Sequence, residues 1–183
     1  SASMVKELRE RTGSGMMECK RALVDANGDM ELAIENMRKA GLAKADKKSG
    51  RIAAEGLIGV KTSADNKTVA MVEVNCETDF VAKSDEFKKF VDDIATALLA
   101  ADVANDDALQ SLPVAGGQSV DEVRRALIAK LGENMTVRRF AKYQAAGGTA
   151  CYLHGSKIGV IVELGTNDAE LGKDIAMHIA ASR

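Results

Sequence analysis

The chain reads as an α+β protein: a small amino-terminal bundle of three helices, followed by a duplicated core of antiparallel sheet and helix whose second copy is incomplete. Three observations carry this. Apolar residues recur at helical spacing up to residue 52, the period becomes extended from Ala53, and one strand–helix pair occurs twice. Met71-Val72-Glu73-Val74 with Asp93-Ile94-Ala95 returns as Ile161-Val162-Glu163-Leu164 with Asp174-Ile175-Ala176. The expected boundaries are 1–52 for the bundle and a basic linker, 53–144 for the first core unit and 145–183 for the start of the second.

Val5 and Leu8 begin a short helix that Thr12-Gly13-Ser14-Gly15 must break, because closely spaced glycines favour a turn. Met16, Cys19, Leu23 and Ala26 form one stripe of a second helix, closed by Asn27-Gly28 with a residue suited to a left-handed cap. Asp29 caps a third helix whose Met30, Ala33, Ile34 and Met37 face the other two. Met17 falls beside the core stripe, where packing is the expected role and surface contact the alternative. So small a unit buries little surface, and a neighbour or partner is expected to help hold it. The basic run Arg38, Lys39, Lys44, Lys47, Lys48 and Arg51 reads as a solvated linker rather than a nucleic-acid site.

Gly56 to Thr62 and Lys67 to Asn75 form a hairpin about Ala64-Asp65-Asn66. The second strand then runs into a polar turn, and Glu73 to Lys83 brings Phe80 forward beside Thr78 and Asp79. The two copies differ in length in this stretch, where function is commonly hung on a rigid frame; neutral loop drift is the alternative. Ser84 caps a helix with Phe87, Phe90, Val91, Ile94 and Leu98 on the face that lies across the sheet. Asp102 to Gln118, with Pro113 and Gly116-Gly117, reads as a variable connection. Ser119 and Glu122 have capping-box spacing, and the helix they start points Val120, Val123, Leu127 and Leu131 inward before ending at Gly132. Met135 to Tyr143 returns as a strand.

The second copy opens after Gly147-Gly148 with Ala150 to His154, turns at Gly155-Ser156 and runs back through Lys157 to Leu164. Asn167 and Glu170 then have capping-box spacing, with Leu171, Ile175 and Ile179 as the expected buried stripe. No strand follows that helix, so the chain is expected to be a fragment or to be completed by another chain.

The chemistry-bearing residues exclude several classes. With 46% hydrophobic and 28% charged residues the chain suits a soluble globular protein, and a formal charge of -2 argues against wholesale nucleic-acid binding. No membrane span or signal segment is expected, which points to the cytoplasm. Cys19, Cys76 and Cys151 are odd in number and far apart, so reduced buried thiols are expected, with no disulfide and no metal site. His178 borders an apolar stripe and reads as a partly buried structural residue; His154 sits at a hairpin tip, as a contact or as a plain turn residue. Neither histidine belongs to a catalytic grouping, and no phosphate-cradling glycine motif occurs, so no enzyme chemistry, cofactor or direct nucleotide binding is expected.

Two segments resemble the signatures of the bacterial translation elongation factor Ts family, the guanine-nucleotide exchange factors of elongation factor Tu. One is Leu8-Arg9-Glu10-Arg11-Thr12-Gly13-Ser14-Gly15-Met16-Met17-Glu18-Cys19-Lys20-Arg21-Ala22-Leu23, with Glu18 where Asp is commoner; the other is Glu73 to Lys83, without departure at Thr78-Asp79-Phe80-Val81. The likeness continues through Leu131-Gly132-Glu133-Asn134 and His154-Gly155-Ser156-Lys157-Ile158-Gly159-Val160. The resemblance implies that Met4 to Lys39 is a ubiquitin-associated-like bundle docking on the nucleotide-binding domain of elongation factor Tu, with Arg9, Thr12, Met16, Met17 and Cys19 in the contact. It implies that Thr78, Asp79, Phe80 and Val81 dislocate the partner's magnesium, that His154 lies at the partner surface, and that Leu131 and Gly132 approach the phosphate loop. GDP would leave, GTP would load, and no bond would be made or broken. Family members continue into a helical hairpin, the rest of the second copy and a final helix. The competing reading is an interaction scaffold with no exchange role; a small metabolic enzyme would need a pocket and a proton-transfer group that the residues do not suggest.

Overall fold

A computed structural model describes residues 1–182. Its amino-terminal helices end where particular residues permit. Helix α1 (Ala2–Thr12) stops at Gly13, whose φ of 67° belongs to the left-handed region. Helix α2 (Met16–Asp25) stops before Asn27 and Gly28, also left-handed, and the Asp29 carboxylate accepts the Leu32 amide at 3.0 Å to start α3 (Met30–Lys48). Leu8, Cys19, Leu23, Ala26 and Ala33 form the buried centre of these three helices.

Two expectations fail here. Met16 and Met17 are 49% and 74% exposed, so neither belongs to the bundle core. The basic run is not a linker: α3 continues through it to Lys48 because the opposite face, with Gly41 and Ala45, packs onto a later helix. Some of its charges fasten α3 to its neighbours, Lys44 pairing with Glu18 of α2 at 2.7 Å, Lys48 donating to the Gly132 carbonyl, and Asp46 pairing with Arg125.

Strands β1 (Glu55–Thr62) and β2 (Thr68–Cys76) make the expected hairpin, turning through Asn66 with φ 56°. Helix α4 (Asp79–Lys83) follows, then α5 (Asp85–Ala100), whose cap Ser84 accepts the Phe87 amide at 3.3 Å. Phe87, Phe90, Val91, Ile94 and Leu98 are all buried, against the Ala70, Val72, Val74 and Cys76 face of β2. Helix α6 (Asp106–Gln110) interrupts the expected variable connection, and Leu109, Leu112 and Val114 join the core, so this stretch is a packed element. Helix α7 (Val120–Leu131) has the expected capping box at Ser119 and Glu122 and ends at left-handed Gly132, φ 82°. Strand β3 (Met135–Gln144) joins β2, giving a three-stranded antiparallel sheet in the order β1-β2-β3.

Strands β4 (Gly148–His154) and β5 (Ile158–Leu164) pair as a separate hairpin, and α8 (Ala169–Ala181) follows. This hairpin stacks on the face of the first sheet opposite α5. A Cβ at Gly159 would stand 2.7 Å from Met71 Sδ and 3.0 Å from Ile58, while the Thr149 hydroxyl donates to the Asn66 carbonyl at 2.9 Å. Helix α8 covers the hairpin's far side, so the order through the molecule is α5, three-stranded sheet, hairpin, α8. A Cβ at Gly172 would lie 2.4 Å from Ala150 Cβ, and this approach turns Gly172 and Ala176 inward. The predicted stripe is displaced accordingly: Leu171 and Ile179 are exposed and Ile175 only half-buried. His178 is exposed rather than structural, and the α8 cap is Asp168, one residue beyond the predicted Asn167.

The first sheet meets α5 at a similar bare point, for a Cβ at Gly59 would lie 2.6 Å from Val91 Cγ1 and 3.1 Å from the Val91 carbonyl. Gly59→Ala is therefore expected to lower the unfolding free energy by about 1–3 kcal/mol, read from urea denaturation, because the helix must shift off the sheet.

Candidate functional site

The site grows from the end of β2. Cys76 forms the last register pair with Met135 of β3, after which the two chains part. The Cys76 thiol donates to the Thr78 carbonyl at 3.2 Å; burial, with the Glu133 and Glu55 carboxylates, pushes that thiol up to about 11. Thr78 remains extended and starts α4 by accepting the Val81 amide on its hydroxyl at 3.4 Å. The expected polar turn is thus a five-residue helix. Its winding sends Val81 and Ala82 into the core and leaves Asp79, Phe80 and Lys83 outside. Phe80 is 83% exposed. Beside it Asp79 pairs with Lys83 at 2.6 Å, and that hydrogen bond holds the Asp79 carboxyl below its ordinary range.

Glu133 holds the segment from behind. One of its carboxylate oxygens accepts the amides of Glu77 at 3.0 Å and Thr78 at 2.9 Å, and the other accepts the Thr78 hydroxyl at 2.5 Å. Glu77 returns the contact, accepting the Asn134 amide at 2.6 Å and pairing with Arg51 at 3.5 Å. Sequence reasoning missed both glutamates as site residues. The signal available was positional: one directly follows a strand and the other directly follows a helix-ending glycine.

Of the other predicted site residues, Leu131 and Gly132 lie in the turn that carries Glu133 and so adjoin α4. His154 is exposed at the β4–β5 tip, 3.1 Å from the Tyr152 hydroxyl. That tip shares the end of the sheet that holds α4, since Ser156 accepts the Ile58 amide at 3.1 Å and Lys157 pairs with Glu55 at 2.9 Å. Arg9, Met16 and Met17 are on the bundle surface, and Thr12 is half-buried with its hydroxyl donating to the Leu8 carbonyl at 2.7 Å. Gly13 brings the α1–α2 turn to Lys130 of α7, 3.6 Å from the position of its missing Cβ. Two residues differ from the expectation of direct contact. Cys19 is wholly buried in the bundle and Val81 lies on the buried side of α4, so neither side chain is open to a partner. Cys19 and Cys76 are free buried thiols as expected, but Cys151 is only half-buried.

A groove of about 810 Å³ does exist, between Met71, Phe140, Ile161 and the end of α8. Among the described residues that line it the one acid, Glu73, is already paired with Arg139 at 2.6 Å and Arg138 at 3.7 Å. Among the described residues no group of three His, Cys, Asp or Glu side chains could hold a metal, and no helix is long and apolar enough to cross a membrane.

Comparison with known proteins agrees with the resemblance in the motifs. Residues 77–183 match the family described as Elongation factor TS. A relative named Elongation factor Ts from Methylococcus capsulatus is 61% identical over 184 aligned residues, which cover 100% of this chain and 63% of the relative. Relatives of the same name from Thioalkalivibrio sulfidiphilus and Hydrogenovibrio crunogenus are 62% and 55% identical; each alignment covers 100% of this chain, and 63% and 62% of the relative. The chain therefore spans less than two thirds of the length of these relatives.

The geometry of α4 separates surface from support. Phe80→Ala is expected to change the unfolding free energy by less than about 0.5 kcal/mol, as exposed positions do, whereas Val81→Ala is expected to cost about 2 kcal/mol in the same urea titration. The Cys76 proton gives a second expectation. Because the folded protein holds it above the ordinary 9.0, the associated stability is intact below pH 9.0 and is lost as the pH rises towards about 11, so Cys76→Ala should flatten the stability profile across that window.

Proposed function

The chain belongs to the elongation factor Ts family, and from that premise we propose that it is a guanine-nucleotide exchange factor acting on elongation factor Tu in the cytoplasm, without bond chemistry. The observation that carries this is the exposed Phe80 ring on a short helix anchored from behind by Val81 and Glu133. A bound magnesium ion demands near-octahedral geometry, so small displacements of its surroundings weaken it. Lodging an aromatic side chain in an apolar crevice of the partner brings about 1.5–3 kcal/mol, and that gain stabilises a partner conformation whose magnesium and phosphate contacts are strained. GDP then leaves and GTP loads. Linkage makes the effect mutual: nucleotide weakens the exchange factor's binding by the factor with which the exchange factor weakens the nucleotide's.

In this proposal Thr78, Asp79, Phe80 and Val81 form the magnesium-dislocating segment, Asp79 and Phe80 by contact and the other two by support. Arg9, Thr12, Met16 and Met17 present the bundle to the partner with Cys19 beneath them, and Leu131, Gly132 and His154 add contacts on the core. The bundle within 1–52 acts as a ubiquitin-associated-like docking unit. The two hairpin–helix units, within 53–144 and 145–183, are read as copies of one scaffold; each has a helix laid across an antiparallel pair, and the recurring Asp-Ile-Ala falls within both helices. Helix α4 then falls in the stretch by which the first copy is longer between the shared strand and helix.

Stopped-flow release of labelled GDP from elongation factor Tu tests the wedge. Phe80→Ala is expected to slow release about 10-fold to 100-fold, the equivalent of the burial energy above, with the melting curve unchanged. Equal rates for parent and variant defeat the proposal. A pull-down in which added GDP fails to release elongation factor Tu favours a scaffold instead.

A further inference from the structure

We infer that Glu133 is a positioning residue for Phe80, an inference that rests on the exchange reading and names the side chain that aims its wedge. Helix α4 has five residues, too few to hold itself together in water. Its place must come from outside. Val81 and Ala82 fix one side by burial, but burial alone allows the helix to roll about its axis. The carboxylate of Glu133 removes that freedom by taking three donors from two consecutive residues, the amides of Glu77 and Thr78 and the hydroxyl of Thr78. A carboxylate only accepts, so the Thr78 hydroxyl must spend its hydrogen on Glu133 and turn a lone pair towards the Val81 amide. The clamp therefore also orients the cap from which α4 starts.

Glu133 is itself fixed. Gly132 before it is left-handed at the end of α7, and Met135 after it is wholly buried at the start of β3. Asn134 extends the frame to the bundle, because its side-chain amide donates to the carbonyls of Ser49 at 3.3 Å and Arg51 at 2.7 Å, just beyond α3. Arg51 in turn reaches Glu77. The end of the bundle and the root of the wedge are thus tied to one three-residue turn, 132–134.

Residue-resolved amide hydrogen exchange on this chain tests the inference without reference to activity. In Glu133→Ala the amides of Glu77, Thr78 and Val81 are expected to exchange about tenfold faster or more, while those of β2 and α5 keep their rates; Glu133→Gln, which retains an acceptor oxygen for both backbone amides, should restore them to within about threefold. Unchanged rates at those three amides overturn the inference, and so does a uniform rise across the chain, which is what general destabilisation gives. Should Glu133→Ala fail to fold, Thr78→Val removes only the hydroxyl at nearly constant volume, and an unaltered Val81 amide overturns the inference in the same way. GDP release measured in parallel at saturating exchange factor should slow in Glu133→Ala and recover in Glu133→Gln. Normal release with a loosened α4, while Phe80→Ala is slow, also overturns it. If Phe80→Ala itself releases GDP at the parent rate, the exchange reading falls and the clamp stands or falls on the amides alone.

Discussion

Two carboxylates crossing at the open end of a sheet hold together the corner from which α4 starts. Strands β2 and β3 stop pairing at Cys76 and Met135, and beyond that point the backbone amides of Glu77, Thr78 and Asn134 lose their ladder partners. Buried amides without partners are costly, so a chain leaving a sheet here needs acceptors. Glu133 supplies them to residues 77 and 78, and Glu77 supplies one to residue 134. Each strand end is thereby closed by the other's side chain. The ends of α3 and α7 and the start of α4 all converge there, so the start of α4 is set against the other two by that exchange of hydrogen bonds.

The rest of the fold supplies stiffness. Five large residues of α5 press on one face of β2, and the second hairpin lies on the other, so the sheet that carries the corner is covered on both sides. The surface ion pairs matter less. Lys89 with Asp93 and Lys6 with Glu10 are exposed pairs of a kind that contributes about 0.2–1 kcal/mol or nothing. Lys48, Asp46 and Lys44 have a different part, because they fasten α3 to α7 and to α2 around a seam already closed by Gly41, Ala45 and Ala129. A single exposed aromatic is common on soluble proteins and carries no message by itself. Phe80 differs in its support, because the five-residue helix that holds it outside is fixed by the burial of Val81 and Ala82 and by Glu133.

Much of the fold was legible in the sequence because it is written in local signals. Asp29, Ser84 and Ser119 all cap the helices they were expected to cap, and every residue of the predicted α5 stripe is buried. The misreadings arose where tertiary packing overrides pattern. Helix α3 runs through a charged stretch because small residues on its other face meet α7, and a charge run does not reveal what lies behind it. Helix α8 buries Gly172 and Ala176 in place of its larger neighbours, because it approaches Ala150 so closely that a Cβ at Gly172 would lie 2.4 Å from Ala150 Cβ. Helix α4 is shorter than two helical turns, too short to show a period. The candidate site was legible in its exposed half, Asp79 and Phe80. The supporting half was not, because the Glu133 contact joins residues far apart in the chain, and no local rule ties an acid after a helix-ending glycine to a helix on another strand.

The tie between the 132–134 turn and the end of α3 bears on how two contact surfaces can act together. A ring on a flexible loop would have to be ordered as it binds, at about 0.5–1.5 kcal/mol for each rotamer-rich side chain immobilised and more for the backbone. Here that ordering is done in the fold, because Thr78 is held at its amide and its hydroxyl before any partner arrives. Asn134 then makes the bundle's last turn and the root of α4 neighbours across one side chain. In the proposed function, a partner that seated the bundle would receive Phe80 at a set distance and angle, so the second contact would follow the first as an intramolecular step. Under the proposed exchange function, rigidity at the corner, more than the affinity of either surface alone, is what would let a small exposed ring displace something already tightly bound.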